Sequence, residues 1–309
     1  MKRIAFLFPG QGSQVVGMGR SLYENTTLGR QYFDQADELL GRPISKICFE
    51  GPEGELKKTS NTQPALLIVS SILADLLREG GIEPQACAGH SLGEYSALYA
   101  AGTFDFTTAV SLVARRGELM AEASDTRPGA MAAIIGLSRE DTLAACREAG
   151  GVVVLANDNS PGQLVISGEA EAVPRAIEAC KNRKAKRALP LPVHGAFHSP
   201  LMEFAVEPMR SALAGAPANP PMVPVVSNVT ARYHGGADSI RQLLVEQLTA
   251  PVRWTETIEY LAAEGFDTFV EVGQGQVLAG LVKRIATEAT VLNVQNERDV
   301  AQLVEKHAA

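Results

Sequence analysis

A serine held in a tight turn between glycines is the first residue that could do chemistry. Residues 89–93 are Gly-His-Ser-Leu-Gly, which matches the pattern Gly-x-Ser-x-Gly. The motif follows a predicted short strand at 87–89 and precedes a predicted helix at 92–101, so the turn would raise the hydroxyl above a sheet. Free amide groups at the start of that helix favour negative charge. The pattern predicts that Ser91 is a nucleophile.

A serine nucleophile needs a base that accepts its proton, and the chain has five histidines. His307 lies near the C-terminus and His234 beside two glycines, so both are expected to be solvated. His90 belongs to the turn itself and must point away from the serine. His194 and His198 therefore stay as candidates. Their orienting partner is open, since it can be an acid or a backbone carbonyl.

The i,i+4 spacing of His194 and His198 is also that of helical metal ligands. Gly195 and Pro200 oppose a helix there, and no acidic residue stands close by in the sequence. We therefore predict no metal site.

The elements around these residues alternate between strands and helices, which predicts an α/β fold with a parallel sheet covered on both faces. The apolar run at 4–8 is a predicted buried strand. Helices are predicted at 28–40, 65–78 and 107–123. Further strands are predicted at 223–229 and at 268–272, the latter as the last, with a helix to about 285.

The middle of the chain predicts a different unit. Strands at 130–137, 152–156, 163–167 and 187–193, with helices from Ser138 to 149 and at 169–182, give the ferredoxin-like order β-α-β-β-α-β. Residues 157–162 are predicted as a turn, and the Pro-containing strand at 187–193 as an edge. We predict an inserted small subdomain at 128–196 within a catalytic core formed by 1–127 and 197–309.

Composition excludes several classes of protein. The chain has 309 residues, 46% of them hydrophobic and 20% charged, as in a globular protein. A net charge of −7 argues against a general nucleic-acid binder. The N-terminal apolar stretch and all other apolar runs are too short for a signal peptide or a membrane span. Four separated cysteines without a C-x-x-C pair suit a reducing compartment. The expected location is the cytoplasm, and a monomer is the default.

One dense basic run occurs in this acidic chain, and it has two interpretations. It is either a solvated helix end or a docking surface for an acidic partner. Its residues are Lys181, Arg183, Lys184, Lys186 and Arg187.

A phosphate-binding loop is the alternative interpretation of the glycines at positions 10 and 12. The dinucleotide fingerprint requires a third glycine where Val15 stands, and Pro9 interrupts the junction between strand and loop. The alternative fails on both counts.

Seven ordered motifs carry a resemblance to a known family. They are Phe-Pro-Gly-Gln-Gly-Ser-Gln at 8–14, Thr-Gln-Pro-Ala at 62–65, Gly-His-Ser-Leu-Gly-Glu-Tyr-Ser-Ala at 89–97, Arg-Gly at 116–117, Asn-Ser-Pro-Gly-Gln at 159–163, Gly-Ala-Phe-His-Ser-Pro-Leu-Met at 195–202 and Glu-Val-Gly at 271–273. From residue 4 to about 285 the chain resembles the malonyl-CoA:acyl carrier protein transacylases of bacterial fatty-acid synthesis. The resemblance implies a hydrolase-like α/β core with a ferredoxin-like insert.

The resemblance also implies roles for particular residues. Ser91 would carry the malonyl group as an ester, and His198 would be the general base and later the acid. A backbone carbonyl near Gln247 would orient the histidine. The amides of Gln11 and Leu92 would form the oxyanion hole, and the elbow pattern independently assigns the second of these.

Substrate selection would fall to Arg116, whose guanidinium can bind both oxygens of a carboxylate. Arg115 is adjacent, but successive helix residues point about 100° apart, so only one should enter the pocket. Gln63 would line the same pocket or hold the turn before Pro64. Phe197, before the histidine, would disfavour branched acyl groups.

The implied reaction is ping-pong transfer from malonyl-CoA to the phosphopantetheine thiol of acyl carrier protein, without a metal or other cofactor. Two alternatives stay open: a freestanding acyltransferase that serves a polyketide synthase, and a thioesterase or esterase with water as acceptor. His194 stands where the family has a small residue, a difference that could alter the electrostatics of the pocket.

Overall fold

The structure is a computed structural model that describes residues 3–308. Its strands are β1 (Ile4–Phe8), β2 (Ala86–Gly89), β3 (Gly129–Ile135), β4 (Val153–Ser160), β5 (Gln163–Glu169), β6 (Arg187–Pro190), β7 (Val225–Val226), β8 (Val252–Arg253), β9 (Thr268–Val272) and β10 (Thr290–Val294). Its α-helices are α1 (Arg20–Asn25), α2 (Thr27–Leu40), α3 (Ile44–Glu50), α4 (Glu53–Leu56), α5 (Thr59–Glu79), α6 (Gly93–Ala100), α7 (Phe106–Thr126), α8 (Arg139–Ala149), α9 (Ala172–Asn182), α10 (Glu203–Gly215), α11 (Ala237–Glu246), α12 (Trp254–Ala263), α13 (Val277–Ile285) and α14 (Glu297–Ala308). Among these residues, no helix combines the length and the hydropathy that crossing a membrane requires.

The first sheet is parallel throughout and has the order β10-β9-β1-β2-β7. Its central strand β1 consists of five buried apolar residues, because helices cover both faces of the sheet. Phe6 and Phe8 pack in the core that includes α5, whereas Ala5 and Leu7 pack in the core that includes Trp254 of α12. The predicted α/β architecture with a covered parallel sheet is confirmed.

The second sheet has the order β6-β3-β5-β4-β8, and its first four strands pair antiparallel. This is the ferredoxin-like arrangement that the sequence predicts, with β6 at the edge. Alternation along β3 separates its two faces. Ala132 and Ile134 belong to the small core shared with α8 and α9, whereas Met131 and Ala133 face a cavity between the two sheets.

A strand from outside the predicted insert completes this second sheet. β8 pairs parallel with β4, and Asn157 lies opposite Val252. Met131 and Val165 of the second sheet also belong to the large core around α5 and α7. The boundaries at 128 and 196 stay a prediction, but the two parts of the chain share both a sheet and a core.

Three predictions about the strands and their connections differ from the structure. The strand at 268–272 is not the last, because β10 follows and pairs with it at the edge of the first sheet. The predicted turn at 157–162 is shorter, since β4 continues to Ser160 through two register shifts that accommodate its polar residues. The strand at 223–229 contains only the two residues of β7.

Helix α5 begins six residues before the predicted start and includes a proline. Pro64 cannot donate to the carbonyl of Ser60, four residues earlier. A guanidinium from outside the helix replaces that donor, because Nη2 of Arg42 lies 2.7 Å from the Ser60 oxygen. The helix therefore continues through Pro64 and places Gln63 on a buried turn.

Candidate active site

The turn between β2 and α6 holds Ser91 in a left-handed conformation with a φ of 52°. Backbone segments approach so closely there that only glycine fits beside it. A Cβ on Gly89 would lie 1.9 Å from the carbonyl carbon of Gly93, and one on Gly93 would lie 2.0 Å from the carbonyl oxygen of Phe8. The glycines of the motif thus allow the strained turn that presents the serine hydroxyl at the end of β2.

An asparagine from the loop after β7 secures this turn. The side-chain oxygen of Asn228 accepts a hydrogen bond of 2.7 Å from the Ser91 amide, and its nitrogen donates one of 2.7 Å to the carbonyl of Gly89. Asn228 is fully buried. It therefore holds both ends of the turn in one orientation.

His198 lies next to the serine hydroxyl. Its Nε2 is 2.8 Å from Oγ of Ser91, and its Nδ1 is 2.8 Å from the backbone carbonyl oxygen of Gln247. A carbonyl only accepts hydrogen bonds, so Nδ1 carries the proton and Nε2 is free to accept the serine proton. This contact resolves the question of the orienting partner: it is a backbone carbonyl rather than an acid.

The environment of His198 keeps its imidazole neutral. The side chain is buried, and desolvation, followed by the nearby positive charge of Arg116, lowers the pKa of His198 to about 3. The hydrogen bond to the Gln247 carbonyl opposes this shift. At neutral pH the histidine is therefore a proton acceptor.

Arg116 of α7 enters the same site, whereas Arg115 does not. Arg116 is 1% exposed. Its Nη1 donates to Oε1 of Gln63 at 2.7 Å, and its Nη2 donates to Oε1 of Gln247 at 2.9 Å and to Oγ of Ser91 at 3.1 Å. Arg115 lies at the surface near Glu118. Of the two neighbouring arginines, only Arg116 therefore borders the site, and its role in binding substrate stays a prediction.

These groups border a cavity of about 300 Å³ between the two sheets. Gln11 and Leu92 lie on its wall, and neither backbone amide donates a hydrogen bond within the described part of the chain. Apolar side chains cover the wall on the side of the second sheet; they are Met131, Ala133, Val165, Leu191 and Val193. Phe197 also lines the cavity. The site therefore combines a few polar groups with a largely apolar lining.

One of the other histidines lies elsewhere than the sequence predicts. The His234 side chain is fully buried, with Nε2 2.7 Å from Oε1 of Glu94, so the expectation of a solvated residue is wrong. His194 is 72% exposed at its side chain and lies 2.9 Å from Asp125, outside the cavity lining. His90 points away from Ser91, as expected, and its Nε2 lies 2.8 Å from Asn159.

The basic run lies at the surface of the second sheet and its helix α9, and none of its residues lines the cavity. Lys181 pairs with Glu178, and Arg183 pairs with Glu148. The remaining three cations make no ion pair within residues 3–308; they are Lys184, Lys186 and Arg187.

Three buried residues of the site have no counterpart among the predicted ones: Glu94, Asn228 and His234. Only Glu94 leaves a signal in the sequence, because it is the one charged residue of the otherwise apolar or small helix Gly-Glu-Tyr-Ser-Ala-Leu-Tyr-Ala. Asn228 and His234 contact the turn around Ser91 and Glu94 across more than a hundred positions, so their spacing in the sequence gives no signal.

Known proteins resemble this chain over almost its whole length. A family model described as acyl transferase domain matches residues 5–307. The malonyl CoA-acyl carrier protein transacylase of Bacillus subtilis is 47% identical over 303 residues, which cover 97% of this chain and 96% of that protein. The chain belongs to the acyl transferase domain family.

Solved structures place this acyl transferase domain among close structural relatives. An acyl carrier protein S-malonyltransferase from Vibrio cholerae superposes with a TM-score of 0.94 at 43% identity, covering 98% of this chain and 100% of that one. A malonyl-transacylase solved in complex with a type II polyketide synthase acyl-carrier protein superposes with a TM-score of 0.96 at 44% identity, covering 99% and 100%.

Proposed function

We propose that this acyltransferase moves the malonyl group from malonyl-CoA to the phosphopantetheine thiol of acyl carrier protein in fatty-acid biosynthesis. One observation carries the proposal: Oγ of Ser91 contacts both the imidazole of His198 and the guanidinium of Arg116. A hydrolase for neutral esters needs the first contact but has no use for a buried cation beside its nucleophile. The names of the relatives support the same substrate.

The first half-reaction forms an ester on Ser91. As Oγ attacks the thioester carbonyl carbon, its proton passes to Nε2 of His198. The oxygen of the tetrahedral intermediate accepts hydrogen bonds from the amides of Gln11 and Leu92, and such donors are worth about 3–4 kcal/mol each. The carbon–sulfur bond then breaks, and the imidazolium returns its proton to the CoA thiolate.

The second half-reaction reverses these roles with a different thiol. The phosphopantetheine thiol of the carrier protein gives its proton to Nε2 of His198 and attacks the ester carbonyl. The bond to Oγ breaks, and the proton on the imidazolium restores the Ser91 hydroxyl. These steps use only side chains, backbone amides and the two thiols; that no cofactor takes part stays a prediction.

Selection of malonyl rests on Arg116. Its guanidinium is fixed by Gln63 on one side and Gln247 on the other, so it is held ready for a carboxylate. Arg116 is buried, so water solvates its guanidinium poorly. The carboxylate of the substrate would compensate this buried positive charge. Phe197 narrows the apolar side of the cavity and disfavours a branched acyl group.

The carrier protein would dock beside the unpaired cations Lys184, Lys186 and Arg187. Their charge opposes the overall charge of −7 and offers an acidic partner a local attractive surface. Charge reversal by Lys186→Glu together with Arg187→Glu should raise KM for the carrier protein and leave Ser91 acylation by malonyl-CoA unchanged. Arg298→Glu together with Lys306→Glu on α14 is the matched control, because it reverses the same number of exposed cations. Equal effects of both changes would contradict this docking surface.

We expect a cytoplasmic monomer.

A second candidate is the same transfer to the carrier protein of a polyketide synthase. The solved complex of a malonyl-transacylase with such a carrier favours it, because that enzyme superposes closely on this chain. The test is a competition assay. Purified enzyme and malonyl-CoA are mixed with equal amounts of holo fatty-acid and holo polyketide carrier proteins, and the rate of malonylation of each carrier is measured. Faster malonylation of the fatty-acid carrier supports our proposal, and faster malonylation of the other supports the alternative. Transfer to neither carrier contradicts both.

A further inference from the structure

A buried carboxylate lies beneath the cavity and takes no part in the transfer steps. Glu94 is fully buried in the first turn of α6, three residues after the nucleophile. Its Oε2 accepts from Nε2 of Gln247 at 2.6 Å and from the backbone amide of Asn228 at 3.1 Å. Its Oε1 lies 2.7 Å from Nε2 of His234. Buried carboxylates are costly unless paired, so this arrangement requires all of its donors.

These contacts decide which way the Gln247 amide faces. Its nitrogen is surrounded by oxygens, because it also donates to the carbonyl of Ser91 at 3.0 Å. Its oxygen must then face the other way, toward Nη2 of Arg116 at 2.9 Å. The reverse orientation would set the amide nitrogen against the guanidinium, and both groups are donors.

Gln247 thus lies as an oriented dipole between a buried anion and a buried cation. The amide nitrogen faces Glu94 and the amide oxygen faces Arg116, which is the favourable direction for both charges. The negative charge of Glu94 is also near enough to oppose the fall in the pKa of Arg116 that burial causes. The same glutamine holds His198 through its backbone carbonyl.

His234 holds the far side of the carboxylate. Its side chain is fully buried, and Nδ1 has no hydrogen-bond partner within the described residues. Among the described residues, the contact with Glu94 is therefore the one hydrogen bond of the His234 imidazole. A donor at this position keeps Oε1 of Glu94 away from Gln247 and leaves Oε2 aimed at the amide nitrogen.

We propose that Glu94, held by His234, is a positioning residue that sets the guanidinium of Arg116 for the substrate carboxylate by orienting the Gln247 amide. The inference rests on the proposed function, since it concerns selection of malonyl over uncharged acyl groups. It assigns selectivity to two residues that contact neither the substrate nor the nucleophile's hydroxyl.

A merely structural role predicts a different result. Losing Glu94 also leaves the backbone amide of Asn228 without its acceptor, and the side chain of Asn228 holds the turn around Ser91. A defect in that turn would slow acylation by every thioester alike. A positioning role changes the ratio between substrates. The readout is therefore the ratio of single-turnover acylation rates with malonyl-CoA and acetyl-CoA, measured by intact-protein mass spectrometry.

The test compares matched variants of both residues in the full chain. Glu94→Gln keeps an oxygen facing Gln247, and its amide nitrogen can donate to the other tautomer of His234, so the ratio should stay about equal to that of wild type. Glu94→Ala removes the shortest hydrogen bond of the Gln247 nitrogen and leaves the longer ones to the Ser91 carbonyl and the Asn228 oxygen, so the amide is held less firmly. The ratio should fall at least about tenfold, as expected for losing one hydrogen bond to a charged group.

Two variants of His234 give a second and milder test, which can be used if Glu94→Ala does not fold. His234→Ala should lower the ratio about threefold, and His234→Gln, which restores a donor at the same reach, should return it to the wild-type value. Equal slowing with both thioesters in folded Glu94→Ala, or an unchanged ratio in His234→Ala, would overturn the inference. Failure of the wild-type enzyme to accept malonyl at all would instead overturn the proposed function.

Discussion

Nη2 of Arg116 lies 3.1 Å from Oγ of Ser91, so the group that would bind the substrate carboxylate touches the nucleophile itself. In a malonyl ester a single methylene separates the carbonyl carbon from the carboxylate carbon. The short distance between guanidinium and hydroxyl therefore suits a short diacid. The bound carboxylate would replace the serine contact as the ester forms.

Removing the guanidinium should change which substrate is accepted. In Arg116→Ala the malonyl-CoA acylation rate should fall at least about a hundredfold relative to the acetyl-CoA rate, because a desolvated charge pair is lost. Single-turnover mass spectrometry of both acyl-enzymes measures the ratio. Arg115→Ala is the control, because Arg115 precedes Arg116 in the sequence but lies at the surface. This variant should keep the wild-type ratio. An unchanged ratio in Arg116→Ala would show that another group recognises the carboxylate.

The same distance predicts discrimination by length. Succinyl-CoA carries one more methylene, roughly 1.5 Å of extra reach, which displaces its carboxylate from the position that suits Arg116. Acylation by succinyl-CoA should be about 10–200-fold slower than by malonyl-CoA, the usual effect of one misplaced methylene. Competition between the two thioesters, read as the mass of the acyl-enzyme, measures it. Equal acylation would mean that the guanidinium is not held at a fixed distance.

His198 should stay neutral far below the usual range of a histidine. Its pKa is lowered to about 3 by burial and then by the charge of Arg116. NMR titration of the imidazole in the free enzyme should show no protonation between pH 8 and 5. In Arg116→Gln the pKa of His198 should rise, because the charge of Arg116, the largest cause after burial, is removed. A pKa near 6.5 in the wild type would contradict the buried, cation-facing environment.

The same shift has a consequence for stability. The folded pKa of His198 lies below its unfolded value of 6.5, so its contribution to stability is present above pH 6.5 and is lost as pH falls toward 3. We expect Tm of the wild type to fall more steeply across this range than Tm of His198→Gln. Parallel curves for the two proteins would contradict the prediction.

A second buried group has the opposite dependence. Glu271 of β9 accepts hydrogen bonds from the amides of Leu278 and Ala279 at the start of α13, and burial raises its pKa to about 7 from 4.5. The folded state therefore binds the proton more tightly. Its stabilising effect is present below pH 4.5 and is lost as pH rises through 7. The Tm advantage of wild type over Glu271→Gln should be larger at pH 5 than at pH 8, and a constant difference would contradict this.

Much of the site follows from local sequence because backbone constraints are local. A Cβ on Gly89 or Gly93 would lie 1.9–2.0 Å from backbone atoms, so the tight turn requires glycine at both positions and leaves a recognisable pattern in the sequence. The helical offset between Arg115 and Arg116 likewise needs no tertiary information. The order of strands and helices in the second sheet also follows from the sequence, because its apolar strands and amphipathic helices alternate over short, local segments.

The remaining features depend on contacts that sequence spacing does not show. His234 stands beside glycines that suggest a solvated turn, and only Glu94, 140 positions earlier, accounts for its burial. Arg42 satisfies the carbonyl that Pro64 leaves free, so a proline that indicates a helix boundary lies inside α5. β10 is an edge strand whose residues are mostly half-buried, and it lacks a clear apolar pattern.

The central claim is that Ser91 carries malonyl between two thiols, and trapping the acyl-enzyme tests it most directly. Wild-type protein is mixed with malonyl-CoA, quenched and digested, and the peptide containing residues 89–93 is sequenced by mass spectrometry, with and without a chase of holo acyl carrier protein. We expect a malonyl ester on Ser91, none in Ser91→Ala, and rapid loss of the ester only when the carrier is present. A malonyl group on another residue, or loss to water at the same rate without the carrier, would contradict the account.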